Sequence, residues 1–341
     1  MSTTPRRFPT LLVALIGVAV IALAVFFARG PRAPAPGPVP SEGAAAADAA
    51  APASGAGRTI AHAQGSTVVA EHPKQVVVFD LAALDTLDAL GVDVQGVAGE
   101  YFPGQLAKYA DAKKYPRYGT LFEPDYEALH AARPDLVITG GRSSARYTKL
   151  AAMVPTIDQT TDDAHFLDTV VGNTQRLATV FGKEEQARTL VEALNQSIAT
   201  LKGTTASRGK GLIVLTSGGR MSAYGPGSRF GVLHDTFGIP PAAPSLKASL
   251  HGEAVGSEFI LETNPDWLFV IDRDAAIGEG GGAQRLLDNE LVHQTTAWKQ
   301  GQVVYLEPAN TYLIGGGIQS LRRLMEQISD VYAKPRQPSA P

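Results

Sequence analysis

The stretch EALHAARPDLVITGGR (127–142) returns without a gap as EFILETNPDWLFVIDR (258–273). In both copies a glutamate stands seven residues before Pro-Asp and fifteen before an arginine, so Glu127, Pro134, Asp135 and Arg142 align with Glu258, Pro265, Asp266 and Arg273. Proline pushes the residue before it out of the α region, which ends a helical run at that point. The apolar runs that follow, LVIT and WLFVI, suit strands buried on both faces. Each copy therefore reads as a helix, a Pro-Asp turn and a strand, and its recurrence marks a duplicated architecture. The carboxyl ends of strands in an open α/β sheet face the ligand crevice. Two facing lobes built this way aim Arg142 and Arg273 into one cleft, which implies an anionic ligand.

Working outward, QVVVF (75–79) is a further buried strand, and Leu81, Leu84, Leu87 and Leu90 recur every three residues in the helix after it. Gly91 suits that helix's C-cap, and Val92 to Val97 reads as the next strand. Between Thr161 and Thr204 the pattern turns helical without strands, first as AHFLDTVVGNTQRLATVF and then, after Gly182, as KEEQARTLVEALNQSIATL. Glu184 and Glu185 at its start and Lys202 near its end complement the dipole of the second helix, which reads as a long connector. GLIVL (211–215) opens a second half. The expected fold is α/β, with two lobes of parallel-rich sheets flanked by helices. An N-terminal lobe covers 58–182, a connecting helix 183–204 and a C-terminal lobe 205–335.

Ahead of this lies an export signal. Arg6 and Arg7 precede an unbroken apolar run from Leu11 to Ala28, and Arg29 and Arg32 follow it. Its 18 residues fall between a signal-peptide core and a minimal membrane span. Residues 1–30 thus read as a cleaved signal peptide or an N-terminal membrane anchor, both directing the chain out of the cytoplasm. Residues 31–57 are almost wholly Ala, Pro, Gly and Ser and read as a linker.

Composition excludes several functions. Thirty Lys plus Arg against 33 Asp plus Glu leave a formal charge of −3, with no basic excess to draw a nucleic acid. The absence of cysteine removes disulfides, thiolate metal sites, thiol nucleophiles and a lipid-anchored Cys together. There is no G-x-x-x-x-G-K-[ST] and no G-x-S-x-G, and in GPGSRFG (225–231) the third glycine comes one residue too late for G-x-G-x-x-G. His62, His72, His130, His165, His234 and His293 show no H-E-x-x-H spacing. A nucleotide-dependent α/β enzyme is thereby disfavoured.

Six motifs in order carry a family resemblance: VVFDLAALDTLDALGV (77–92), YGTLFEPDYEAL (118–129), PDLVITGGR (134–142), SAYGPGSRFGVLHDTFG (222–238), the pair His251-Gly252, and VYLEPANTYLIGGG (304–317). Together they resemble the periplasmic substrate-binding proteins of ABC importers for ferric siderophores, above all the branch that takes catecholates. The resemblance implies a class III bilobal fold without catalysis or a resident cofactor. It implies a monomer that holds Fe(III)-siderophore between its lobes and delivers it to a permease dimer in the cytoplasmic membrane. It assigns Arg142, Arg229 and Arg273 to the cleft, where guanidinium groups stay cationic and donate planar hydrogen bonds to catecholate oxygens. His251 and Tyr312 match the pair that completes the iron's coordination when the siderophore offers only four donors, a task that suits phenolate and neutral imidazole. Glu127 and Glu258 match acids that dock on the permease, two symmetric contacts for a two-fold partner. Hydroxamate siderophores, haem and cobalamin are the alternative ligands on the same scaffold. An arginine-lined cleft favours the anionic catecholate.

Overall fold

The computed structural model describes residues 57–334. The expected leader (1–30), the linker up to residue 56 and residue 335 lie outside the described residues. Among the described residues no helix is long and apolar enough to cross a membrane.

Eleven strands form three sheets among these residues. They are β1 (Gly57–His62), β2 (Gly65–Ala70), β3 (Val76–Val78), β4 (Gly96–Val97), β5 (Leu136–Thr139), β6 (Thr156–Asp158), β7 (Gly211–Ser217), β8 (Arg220–Tyr224), β9 (Glu253–Val255), β10 (Trp267–Asp272) and β11 (Val303–Tyr305). The first half carries a wholly parallel sheet in the order β4-β3-β5-β6. The second carries β11-β10-β7-β8-β9, parallel across β11, β10 and β7, with β8 antiparallel to both neighbours. Both sheets are parallel-rich and flanked by helices, as the sequence predicts.

The repeat is reproduced turn for turn. Helix Tyr126–Ala132 ends at Arg133 and helix Ser257–Thr263 at Asn264, and these are the two non-glycine residues with positive φ among those described (47° and 41°). A left-handed residue closes each helix, and Pro134 or Pro265 prevents its continuation. The following aspartates complete the junction. Asp135 Oδ2 accepts the backbone N–H groups of Lys74 and Gln75 at 2.8 and 2.9 Å, and Asp266 Oδ2 accepts that of Lys210 at 2.7 Å. Pro-Asp is therefore the latch that registers β5 on β3 and β10 on β7.

Two elements differ from expectation. The strand predicted over Val92 to Val97 shrinks to Gly96–Val97, because Val92 N–H turns back to the Leu87 carbonyl at 2.9 Å to close the preceding helix. Gly57, expected at the end of the linker, pairs with Ala70 as the first residue of an unforeseen β1-β2 hairpin.

The long helix appears as Glu184–Thr205, but it does not join the halves alone. Its Ala187 packs into the core of the first sheet, and Val191, Leu194, Ile198 and Leu201 into that of the second. Helix Phe166–Phe181 makes the same crossing in reverse, with Val170 in the second core and Leu177, Ala178 and Val180 in the first. A third tie comes from Asp85, whose Oδ2 accepts the N–H groups of Gln319 and Ser320 at 2.9 and 3.0 Å and so caps helix Ile318–Ala333. A Cβ on Gly317 would stand 2.3 Å from that carboxylate oxygen, which is why the helix begins after a run of glycine. Burial outweighs these hydrogen bonds and the one from Gln105, raising the Asp85 carboxyl to about 6.

Candidate functional site

Three loops, each following a strand, meet between the halves. Arg142 lies in the turn Gly141–Arg146, which leaves β5. Arg229 lies in the Gly-Pro-Gly loop between β8 and helix Val232–Asp235. Tyr312 occupies the π-helical turn Asn310–Ile314 beyond β11. Arg142 donates to the carbonyls of Leu313 and Tyr312, both at 3.0 Å, and Arg229 donates to the same Tyr312 carbonyl at 2.9 Å. Their guanidinium carbons stand 5.5 and 4.4 Å from the centre of the Tyr312 ring. Arg273, which opens helix Arg273–Ala276 at the end of β10, reaches the Tyr312 hydroxyl through Nε at 3.3 Å. One tyrosine thus gathers all three predicted arginines, two by its carbonyl and one by its hydroxyl.

The charges here are poorly compensated. Among the described residues neither Arg142 nor Arg229 has a carboxylate within ion-pair distance, whereas Arg273 pairs with Asp274 at 3.3 Å. Burial, and then the neighbouring Arg229, pull the Arg142 guanidinium below its ordinary value, while Tyr312 and Asp80 act in the other direction. Asp80 caps helix Leu81–Ala89 by accepting Ala83 N–H at 2.8 Å. Its burial raises it to about 6 against the pull of that N–H and of Arg142. A Cβ on Gly140 would lie 2.9 Å from this carboxyl carbon, so the glycines of GGR let the arginine turn pass over it. Burial works to raise the Tyr312 phenol, but the Arg273 hydrogen bond and the charge of Arg229 prevail and hold it below the ordinary tyrosine value. The cations around the phenol thus favour its ionised form more than bulk water does.

A cavity of about 510 Å³ opens here, walled by Asp80, Phe122 and Arg142 from the first half and by Arg229, Leu250 and His251 from the second. Tyr312 lines it as well. His251 is exposed, and its backbone N–H is held by Ser249 Oγ at 3.2 Å. Of the residues predicted for the ligand, Arg142, Arg229, His251 and Tyr312 therefore share one cavity. Arg273 does not line it; apart from its bond to Tyr312 it faces an adjoining cavity of about 730 Å³ beside Asp274, Glu279 and Arg285. Glu127 and Glu258 lie apart, both exposed in the first turn of their repeat helices. The residue-by-residue reading missed Asp80, although an aspartate just before a helical leucine run is a capping signal. Phe122, the other cavity residue without a signal of its own, sits inside YGTLFEPDYEAL (118–129).

Parallel-rich sheets in two halves, with an arginine-lined cavity walled by both, define a two-lobed ligand-binding protein. The chain belongs to the periplasmic binding protein family, which its residues 76–309 match. It is a substrate-binding protein, not an enzyme. It is 39% identical over 277 residues to the petrobactin-binding protein YclQ of Bacillus subtilis, covering 80% of this chain and 87% of that one. The crystal structure of YclQ superposes with a TM-score of 0.79 over 82% of this chain and 99% of its own. The ferric-anguibactin-binding protein FatB of Vibrio anguillarum is 32% identical over 279 residues, spanning 80% of this chain and 87% of FatB. The catecholate-siderophore binding protein VctP of Vibrio cholerae gives a TM-score of 0.77 at 30% identity, covering 80% of this chain and 99% of VctP. These structural likenesses agree with the expected class III bilobal fold.

Proposed function

We propose that this protein captures an anionic ferric siderophore of the catecholate type outside the cytoplasmic membrane and delivers it to an ABC permease. The observation that carries the reading is the pair of guanidinium groups, Arg142 and Arg229, sharing the Tyr312 carbonyl in a cavity walled by both halves. Catecholate oxygens offer the negative charge that this pair lacks and accept planar hydrogen bonds from it. The petrobactin, anguibactin and catecholate ligands named for the similar proteins support the same choice.

Iron is cargo here and arrives inside its chelator. Among the described residues no three His, Asp or Glu side chains gather into a metal cage. Tyr312 and His251 then fill the coordination positions that a tetradentate siderophore leaves open. The depressed phenol of Tyr312 favours this role, since a phenolate is a hard oxygen donor suited to ferric iron. Arg273 orients that phenol by its hydrogen bond from outside the cavity. Residues 58–182 and 205–335 form the lobes with 183–204 between them, and residues 1–30 take the chain across the membrane as signal or anchor. The protein acts there as a monomer without a resident cofactor, and Glu127 and Glu258 meet the permease dimer.

The test is the visible charge-transfer band of a ferric complex carrying two catechols per iron. Adding the protein shifts the band as Tyr312 and His251 enter the coordination sphere, and the double variant His251→Ala, Tyr312→Phe removes the shift. A wild-type protein that binds the complex with no change of spectrum would place both side chains outside the iron's coordination.

A further inference from the structure

The described residues expose five large apolar side chains: Val68, Tyr101, Phe122, Met153 and Leu250. Two of these, Phe122 at 58% and Leu250 at 56% exposure, stand on the wall of the arginine cavity, one from each half. We infer that Phe122 and Leu250 are specificity-determining contacts that select chelates bearing aromatic rings over equally charged chelates without them. The inference rests on reading the cavity as the ferric chelate site, and it names what that site takes beyond charge.

The local structure supports a recognition role. Phe122 is held at the tip of a tight turn in which Thr120 Oγ1 accepts the N–H groups of Phe122 and Glu123 at 3.2 and 3.0 Å, and Thr120 N–H donates to the Glu123 carbonyl at 2.9 Å. Arg146 locks the tip from outside, donating to the Phe122 carbonyl at 3.3 Å and pairing with Glu123. An aromatic side chain is thus presented to the cavity on a fixed backbone, which reduces the ordering cost of contact. Leu250 immediately precedes His251, and its loop is pinned by Lys247 N–H to Glu253 Oε1 at 2.6 Å. A ligand held by the arginines and by His251 therefore passes under Leu250.

The chemistry selects the occupant. The arginines engage an anionic chelate chiefly through its charged oxygens, which leaves the apolar edges of its rings to apolar partners. A catecholate ring presents an apolar face and edge beyond its oxygens, and Phe122 can pack on them in an offset or edge-to-face arrangement. A chelate built from aliphatic carboxylates presents no such surface. Completing the burial of two half-exposed apolar side chains should strengthen binding by about 5- to 10-fold each.

The experiment titrates the ferric catechol complex, and ferric citrate as an anionic chelate without rings, into wild type, Phe122→Ala, Phe122→Leu, Leu250→Ala and the double alanine variant, following intrinsic fluorescence at low and high salt. The variants should leave affinity for ferric citrate unchanged, and an equal loss for both chelates would overturn the inference. Phe122→Ala and Leu250→Ala should each weaken binding of the catechol complex about 5- to 10-fold, by the same factor at both salt concentrations, because an apolar contact is not screened. Phe122→Leu should recover most of the loss, and the double variant should show the product of the single effects. Unchanged affinity, a loss that vanishes in high salt, or a double variant no weaker than one single would overturn the inference. The last result would mean that the two side chains touch each other and not the ligand. Melting temperatures should stay near wild type, since both positions are exposed. Wild type failing to bind the complex would instead refute the proposed function and this inference with it, whereas binding by wild type with indifferent variants would remove the inference alone.

Discussion

Reversing charge at both proposed docking acids, Glu127→Arg with Glu258→Arg, is expected to bring ferric siderophore uptake by cells down to background while leaving the affinity of the purified protein within about twofold of wild type. The two side chains occupy equivalent exposed positions in the repeat helices, away from the cavity. A substitution there changes no contact to ligand or core. Under the proposed docking role it places a cation where the permease would receive an anion, and like charges at an interface cost several kcal/mol. The alternative role is a local one, because a carboxylate in the first helical turn also complements the helix dipole, worth about 0.3–1 kcal/mol. The two roles separate cleanly. Loss of the dipole effect lowers thermal stability slightly and spares uptake, whereas loss of docking spares stability and removes uptake. Normal uptake by the double variant would refute the docking role.

The second large effect falls on ligand affinity. Arg142→Gln and Arg229→Gln should each weaken binding of an anionic ferric catecholate by roughly 10- to 100-fold, the magnitude of a charge-assisted hydrogen bond lost from a partly buried site. Each loss should shrink as salt rises. Stability should not follow affinity. In the free protein the two cations share the Tyr312 carbonyl, and Arg229 helps to pull Arg142 below its ordinary value. Removing Arg229 relieves that repulsion and leaves Arg142 to hold the carbonyl, so the ligand-free melting temperature should stay level or rise. That divergence is the signature of a site kept strained for its ligand. A fall in both affinity and melting temperature would mark Arg229 as a structural residue of its Gly-Pro-Gly loop.

The arrangement explains what could be read in advance. Pro134-Asp135 and Pro265-Asp266 were legible because their effects are local: proline stops the helix, and aspartate takes the N–H groups of the adjoining chain. The long helix was legible from its apolar spacing and its charged ends. Its partner in the crossing was not, because Phe166–Phe181 shares its apolar residues between two cores, and periodicity does not say which core a residue faces. The β1-β2 hairpin was missed because it buries only Ile60, His62 and Val69 under mostly polar neighbours and shows no strong alternation.

The cavity was partly legible for a similar reason. Arginine types and offsets placed Arg142 and Arg273 beyond strand ends, but the acceptor that draws Arg142 and Arg229 together is a backbone carbonyl, and every residue carries one. Only the fold selects that of Tyr312. Spacing also could not foresee that Arg273 would bond the Tyr312 hydroxyl while lining a different cavity. Phe122 and Leu250 escaped notice because an exposed apolar residue is ordinary until its neighbours are known.

The central claim is that the cavity around Tyr312 binds an anionic ferric catecholate. It is tested most directly by titrating purified protein, from Arg58 onward, with ferric catecholate complexes and following intrinsic fluorescence. Saturable quenching that weakens as salt rises, and is lost when Arg142 and Arg229 are both replaced by glutamine, is the predicted result. A flat titration against every ferric catecholate tried would contradict the account.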